Sequence, residues 1–120
     1  MNKNGIKYIG AILGLGLIAV LTPNAVPATT ATLTAMVVTQ VCQGGNGVAV
    51  TLTATLSPPK TGVRYQWDFD NDGTFDTQPN PDPMVTHTYP DEVQVTARVR
   101  VTKGSRSAED TVTFQTLRCP

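Results

Sequence analysis

Hydrophobic and polar residues alternate along most of the chain after residue 34, and this period of two is typical of half-buried β-strands. The predicted strands span residues 35–41, 48–56, 63–69, 84–89, 93–101 and 108–117. No segment after residue 28 has the 3.6-residue period of an amphipathic helix. Six or seven short strands in about 90 residues predict an all-β fold, a small antiparallel β-sandwich.

The first 28 residues have the features of a targeting segment. Lys3 and Lys7 form a short positive region, residues 9–21 are apolar, and Ala28 precedes a plausible cleavage point. The apolar stretch of 13 residues is shorter than the roughly 20 that span a membrane. The predicted division is a signal peptide at 1–28, with an uncleaved anchor as the alternative, a flexible lead-in at 29–34 and a domain at 35–120. We therefore expect the protein to be secreted, extracellular or displayed at the cell surface.

Net charge excludes one class of partner. The whole chain is formally neutral, and removal of Lys3 and Lys7 leaves seven basic and nine acidic residues. Arg98 and Arg100 are only two charges on one strand face, so no basic patch is available to bind nucleic acid. We expect no nucleic-acid partner, and a membrane contact only if the N-terminal segment is retained.

Cys42 and Cys119 are the only cysteines, and both lie in the part predicted to be exported. An even pair outside the reducing cytoplasm predicts a disulfide. A metal site is disfavoured because neither cysteine has a C-x-x-C neighbour. If the first and last strands pair in parallel at a sheet edge, as immunoglobulin-like sandwiches commonly have them, both cysteines reach the same end of the sandwich.

Carboxylates are concentrated where the third predicted strand ends. Aspartates occupy every second position, glycine then turns the chain, and repulsion within the group would be relieved by a cation. The spacing D-x-D-x-D-G matches the first half of a calcium-binding loop. The candidate Ca²⁺ ligands are Asp68, Asp70, Asp72, Asp76 and the backbone carbonyl of Thr74.

A second interpretation of this loop stays open. The position that would hold the bidentate glutamate of an EF-hand is Pro79, so the calcium pattern is incomplete. The aspartates would then cap turn amides and face water, with Asp68 the most structural of them. No cofactor is required by the sequence, and calcium is the one that it suggests.

The aromatic residues favour a core over a binding surface. Tyr65, Trp67 and Phe69 share one face of the third strand, which predicts packing against the opposite sheet rather than stacking on sugar rings. Phe75, in the loop, is the remaining aromatic candidate for a surface platform. Polysaccharide binding is therefore the less favoured of the possible binding roles.

Two motifs together resemble the PKD (polycystic kidney disease) domain family. The run Trp67-Asp-Phe-Asp-Asn-Asp-Gly73 is similar to that family's W-D-F-D-x-D-G strand and loop. His87-Thr-Tyr89, followed by a valine-rich strand, resembles its H-x-Y turn, and the likeness covers roughly residues 36–117. One departure is Pro90-Asp-Glu-Val93, where many members have Pro-Gly-x-Tyr.

The resemblance implies an Ig-like β-sandwich in which Trp67, Phe69, Gly73, His87 and Tyr89 have structural roles. His87 is then a turn residue rather than a general base, and Tyr89 is buried with its hydroxyl bonded to backbone. We expect a protein that is not an enzyme, acting in extracellular protein interaction or as a structural element. A calcium-stabilised adhesion or assembly subunit is one alternative and a small polysaccharide-binding protein is another. An extracellular protein or a second copy is the expected partner.

Overall fold

The computed structural model describes residues 31–120. The predicted signal peptide and the first two residues of the predicted lead-in lie outside the described residues. The described part of the chain forms six strands, in the order that the alternation predicts. They are β1 (Thr32–Cys42), β2 (Val48–Ser57), β3 (Arg64–Asp68), β4 (Met84–Tyr89), β5 (Gln94–Lys103) and β6 (Arg106–Gln115). From residue 31 onward, no helix has the length and apolar character needed to cross a membrane.

β1 begins earlier than the sequence pattern predicts. Thr32 pairs with Ser57 of β2, and both Ala31 and Leu33 are almost fully buried. The prediction of a flexible lead-in through residue 34 is therefore wrong for residues 32–34. These residues are ordered because Leu33 continues the inward-facing series of β1 and buries its side chain between the sheets.

The strands form two three-stranded antiparallel sheets, in the orders β1-β2-β4 and β3-β5-β6. Inward-facing residues of both sheets form one core, because side chains alternate between the two faces of each strand. Trp67 is 2% exposed and lies at its centre with Leu52 and Val99, which are fully buried. The predicted all-β, Ig-like sandwich is confirmed.

The predicted disulfide joins Cys42 to Cys119, with Cα atoms 5.7 Å apart. The expected parallel ladder between the first and last strands is wrong, since among the strands of residues 31–120 β1 pairs only with β2 and β6 only with β5. The two strands nevertheless run side by side in the same direction, one at the edge of each sheet. Side chains join them: the Ala35 amide donates to Asp110 Oδ2 at 2.8 Å, and the Leu117 amide donates to Gln40 Oε1 at 3.0 Å.

The turn between β4 and β5 has an unusual backbone conformation. Glu92 has a φ of 54°, in the left-handed region that glycine adopts most easily. Its amide donates to the carbonyl of Leu117 at 3.0 Å, which fixes the turn against the C-terminal segment. Glu92 stands at the variable position of the Pro-Gly-x-Tyr pattern, so the strained φ does not fall on Asp91, which replaces the pattern's glycine.

Candidate functional site

The acidic loop is organised around Asp68, the last residue of β3. Its side chain is fully buried and accepts hydrogen bonds from the amides of Asp72 (3.1 Å) and Gly73 (2.9 Å). Gly73 has a φ of 97°, so a residue without a side chain suits this turn. Burial by itself would raise the pKa of Asp68, but the two amides and the Arg98 guanidinium outweigh it and hold that pKa below its ordinary value.

Three of the predicted ligands converge. Oxygen atoms of Asp68, Asp70 and Asp76 lie within 4.8 Å of one another, a spacing at which they could hold a metal ion. Asp68 is buried, whereas Asp70 and Asp76 are both exposed, and Asp76 Oδ2 accepts from the Phe69 amide at 2.8 Å. Lost solvation, followed by the hydrogen bond to Asp68 and the neighbouring carboxylate charges, raises the pKa of Asp70. The cluster therefore combines one buried carboxylate with two exposed carboxylates.

The other two predicted ligands take part in a local turn. Asp72 Oδ1 accepts from the Thr74 amide at 2.9 Å, as aspartates in Asx turns do. Asp72 does not belong to the group of three converging carboxylates. Its role in the structure matches the turn-capping interpretation of the loop.

A cation already neutralises the buried end of the cluster. Arg98 Nη2 lies 3.1 Å from Asp68 Oδ2, and its Nη1 lies 2.9 Å from Glu109 Oε1. Arg100 Nε pairs with the same glutamate at 2.9 Å. The two guanidinium groups lie 4.6 and 4.5 Å from the ring centre of Phe75 and so cover it.

The sequence does not reveal this role of Arg98. Its partnership with Asp68 depends on the register between β3 and β5, which places the two residues opposite each other. The alternation of Arg98 and Arg100 on one face is a visible signal, but the strand that they face is not. The sequence pattern does not indicate the register between β3 and β5, and so it does not predict this ion pair.

His87 and Tyr89 lie in an aromatic cluster beside the acidic loop. The His87 ring stacks on Phe69 at 4.0 Å between ring centres, and the Tyr89 ring meets His87 edge to face at 4.6 Å. The Tyr89 hydroxyl donates to the Phe69 carbonyl at 2.7 Å, the buried backbone contact expected of this tyrosine. Burial lowers the pKa of His87, against the opposing charges of Asp76 and Asp70, and burial likewise raises the pKa of Tyr89. The stacked ring has the position of a packing residue.

Aromatic side chains are not available as a sugar-binding platform on the described surface. Trp67 and Tyr65 are buried, and the guanidinium groups of two arginines lie over the ring of Phe75. In residues 31–120 no aromatic residue is exposed. The condition that polysaccharide binding by stacking requires is therefore not met in this part of the chain.

These features define the class of molecule as an Ig-like β-sandwich closed by a disulfide between its first strand and the segment after its last. The PKD domain family model matches residues 34–116, more than half of the chain, and the protein belongs to that family. Comparisons with curated proteins and with solved structures found no match. PKD domains are generally non-catalytic, typically extracellular modules that commonly mediate protein–protein interactions.

Proposed function

We propose that the protein is a secreted, non-catalytic PKD module that acts in extracellular protein interaction or as a structural element. The observation that carries this proposal is the PKD match over residues 34–116. The Cys42–Cys119 disulfide supports the extracellular location, because such bonds persist in oxidising compartments. His87 supports the non-catalytic role, since its ring is stacked on Phe69 and, within residues 31–120, is bonded to no nucleophile or orienting acid.

The test is carried out on the protein in its own cells. We expect it outside the cell or at the cell surface, with both cysteines oxidised, and cross-linked reproducibly to a protein of that surface. Cell fractionation, mass spectrometry under non-reducing conditions and cross-linking measure these three properties. Retention inside the cell with two free thiols would contradict the extracellular role. Export without any cross-linked protein would leave only the structural role.

A second candidate function is that of a calcium-stabilised adhesion or assembly subunit. The convergence of Asp68, Asp70 and Asp76 favours it, because three carboxylate oxygens are hard ligands of the kind that Ca²⁺ takes. Extracellular modules of this kind bind with dissociation constants on the order of 10⁻⁴ to 10⁻³ M. Arg98 already neutralises Asp68, which weakens the field that such an ion would meet.

Thermal unfolding with millimolar Ca²⁺ and with chelator tests this candidate. A bound ion raises the melting temperature by linkage, and replacing Asp70 by Asn should remove the rise. Mg²⁺ at the same concentration is the control for ionic strength. An unchanged melting temperature in Ca²⁺ would contradict the candidate and leave the loop as turn structure.

A further inference from the structure

The free edge of β4 exposes backbone groups in a regular pattern. The Ala54 amide donates to the Pro83 carbonyl, and the antiparallel register continues from that pair along β4. Antiparallel residues alternate between bonding the partner strand and facing away from it. Val85, His87 and Tyr89 therefore bond β2, whereas Thr86 and Thr88 direct their amides and carbonyls to the open edge. Among the described residues, those two amides have no hydrogen-bond partner.

The facing edge of the other sheet is already covered. The connection between β3 and β4 runs along β3, where the Tyr65 amide donates to the Asn80 carbonyl at 2.7 Å and the Asp76 amide donates to the Trp67 carbonyl at 2.8 Å. Trp67 in turn donates its amide to Thr77 Oγ1 at 2.9 Å. The connection therefore satisfies β3 and leaves β4 as the open wall of a groove.

Two cavities lie along this groove. A cavity of about 220 Å³ lies beside Met84 and Val85 and is also lined by Tyr65 and Trp67 and by four polar residues, Thr77, Gln78, Asn80 and Asp82. It is smaller than the roughly 300–1,000 Å³ of sites for drug-sized ligands, so it suits a single side chain. The buried Trp67 Nε1 has no hydrogen-bond partner within the described part of the chain. A polar atom or a water held by an occupant would satisfy that donor.

The second cavity, of about 520 Å³, lies at the other end of β4. Asp70, Asp76, His87 and Tyr89 are among the residues that line it. Its two carboxylates make this end of the groove acidic. An occupant that follows β4 would thus first meet the cavity at Trp67, whose lining is part apolar and part polar. About four residues later, roughly 13 Å along an extended chain, it would meet the cavity that holds Asp70 and Asp76.

We propose that this groove, bounded by β4 and the 69–82 connection, accepts an extended peptide segment of a partner protein as an added strand beside β4. The segment carries an apolar side chain for the cavity at Trp67 and a lysine or arginine four residues away for Asp70 and Asp76. Backbone pairing with Thr86 and Thr88 supplies affinity, and the two cavities supply selectivity. The inference rests on the proposed role in extracellular protein interaction. A second copy fits less well, because β4 has no lysine or arginine to meet the acidic end.

The experiment measures amide hydrogen exchange of the full chain by NMR, in chelator so that no cation occupies the acidic end. The probes are eight-residue peptides that alternate threonine with valine, leucine or phenylalanine. Each carries one lysine four residues before or after a central apolar residue. We expect exchange at Thr86 and Thr88 to slow at least tenfold with the best of them. Identical peptides with glutamate in place of lysine should protect neither amide.

Matched variants locate the contact. Thr86→Pro removes the outward amide, whereas Thr86→Val keeps it, and both lose the hydroxyl contact with Thr51. Peptide binding should be lost in the first variant and retained in the second. A peptide N-methylated at the residues facing β4 gives the same comparison without altering the protein. Asp70→Lys should reverse the preference from lysine to glutamate.

Three results would overturn the inference. The first is that no peptide of the set protects Thr86 and Thr88, and the second is that lysine and glutamate peptides protect them equally. The third is that both amides are protected without peptide in a chain that sediments as a dimer, which would make a second copy the occupant. If export and a cross-linked partner are observed while the peptides fail, only the groove is misassigned. Failure of export and cross-linking would instead contradict the proposed function itself.

Discussion

The two open sides of the sandwich differ in how their strand edges are closed. On one side β1 and β6 lie next to each other, joined by the disulfide and by side chains that reach across the two sheets. On the other side β3 is covered by its own connection, and two amides of β4 have no hydrogen-bond partner among residues 31–120. Natural sheets usually protect their edge strands. The β1–β6 side follows this rule, whereas the edge of β4 stays available for contact. The covalent and side-chain links thus lie on one side of this small domain, and the edge that we propose for peptide binding lies on the other.

The strongest test of the closed side is removal of its covalent link. The disulfide spans a sequence separation of 77 residues. Reduction, or replacement of both cysteines by serine, should lower the free energy of unfolding by about 4 kcal/mol in the chain-entropy description. Urea unfolding with and without reductant measures this effect. The Thr86→Val variant on the open side is the control and should leave the urea midpoint nearly unchanged. A similar loss of stability in the disulfide-free protein and in Thr86→Val would contradict the assignment of the β1–β6 side as the stabilised one.

The next largest effect is expected where the acidic loop meets β5. Arg98→Met leaves the buried Asp68 carboxylate without its cation and should cost about 3 kcal/mol, as breaking a buried pair does. Arg100→Met is the matched control, because Arg100 shares Glu109 and Phe75 with Arg98 but makes no ion pair with Asp68. Millimolar Ca²⁺ should restore more stability to Arg98→Met than it adds to the original protein. Equal responses to Ca²⁺ would show that Arg98 does not substitute for a cation.

Two aspartates allow the same interaction to be compared on the two sides. Asp110 accepts the Ala35 amide across the sheets at 2.8 Å, and Asp82 accepts the Met84 amide two residues along the chain at 3.0 Å. Asp110→Ala should lose about 1 kcal/mol, the usual net value of one hydrogen bond. Asp82→Ala should lose less, because its contact is local and exposed. Chemical denaturation of both variants measures the difference, and a larger loss for Asp82→Ala would reverse our assignment of the stabilised side.

Local pattern predicted much of the fold, and long-range pairing accounts for what it missed. Alternation identified all six strands because each has one buried face. The start of β1 was predicted too late, because Leu33 is the one large apolar residue among threonines and alanines that resemble a linker. The predicted pairing of β1 with β6 in one sheet was wrong, because no local sequence signal indicates which strand lies next to which in a sheet. Convergence of Asp70 with Asp76 requires the turn at Gly73, which the sequence does show, whereas the contact of Asp68 with Arg98 requires register, which it does not.

The smallest expected effect is a gain in stability at the turn that supports the closed side. Glu92 has a φ of 54° while its amide bonds Leu117, two residues before Cys119. Glycine adopts this conformation without strain, so Glu92→Gly should stabilise the fold by about 0.5–1 kcal/mol relative to Glu92→Ala. Both variants lose the exposed ion pair with Arg118, which makes alanine the matched control. Melting temperatures of the two variants give the answer: equal values would mean that the turn carries no strain, and that the closed side is stabilised without a local cost at Glu92.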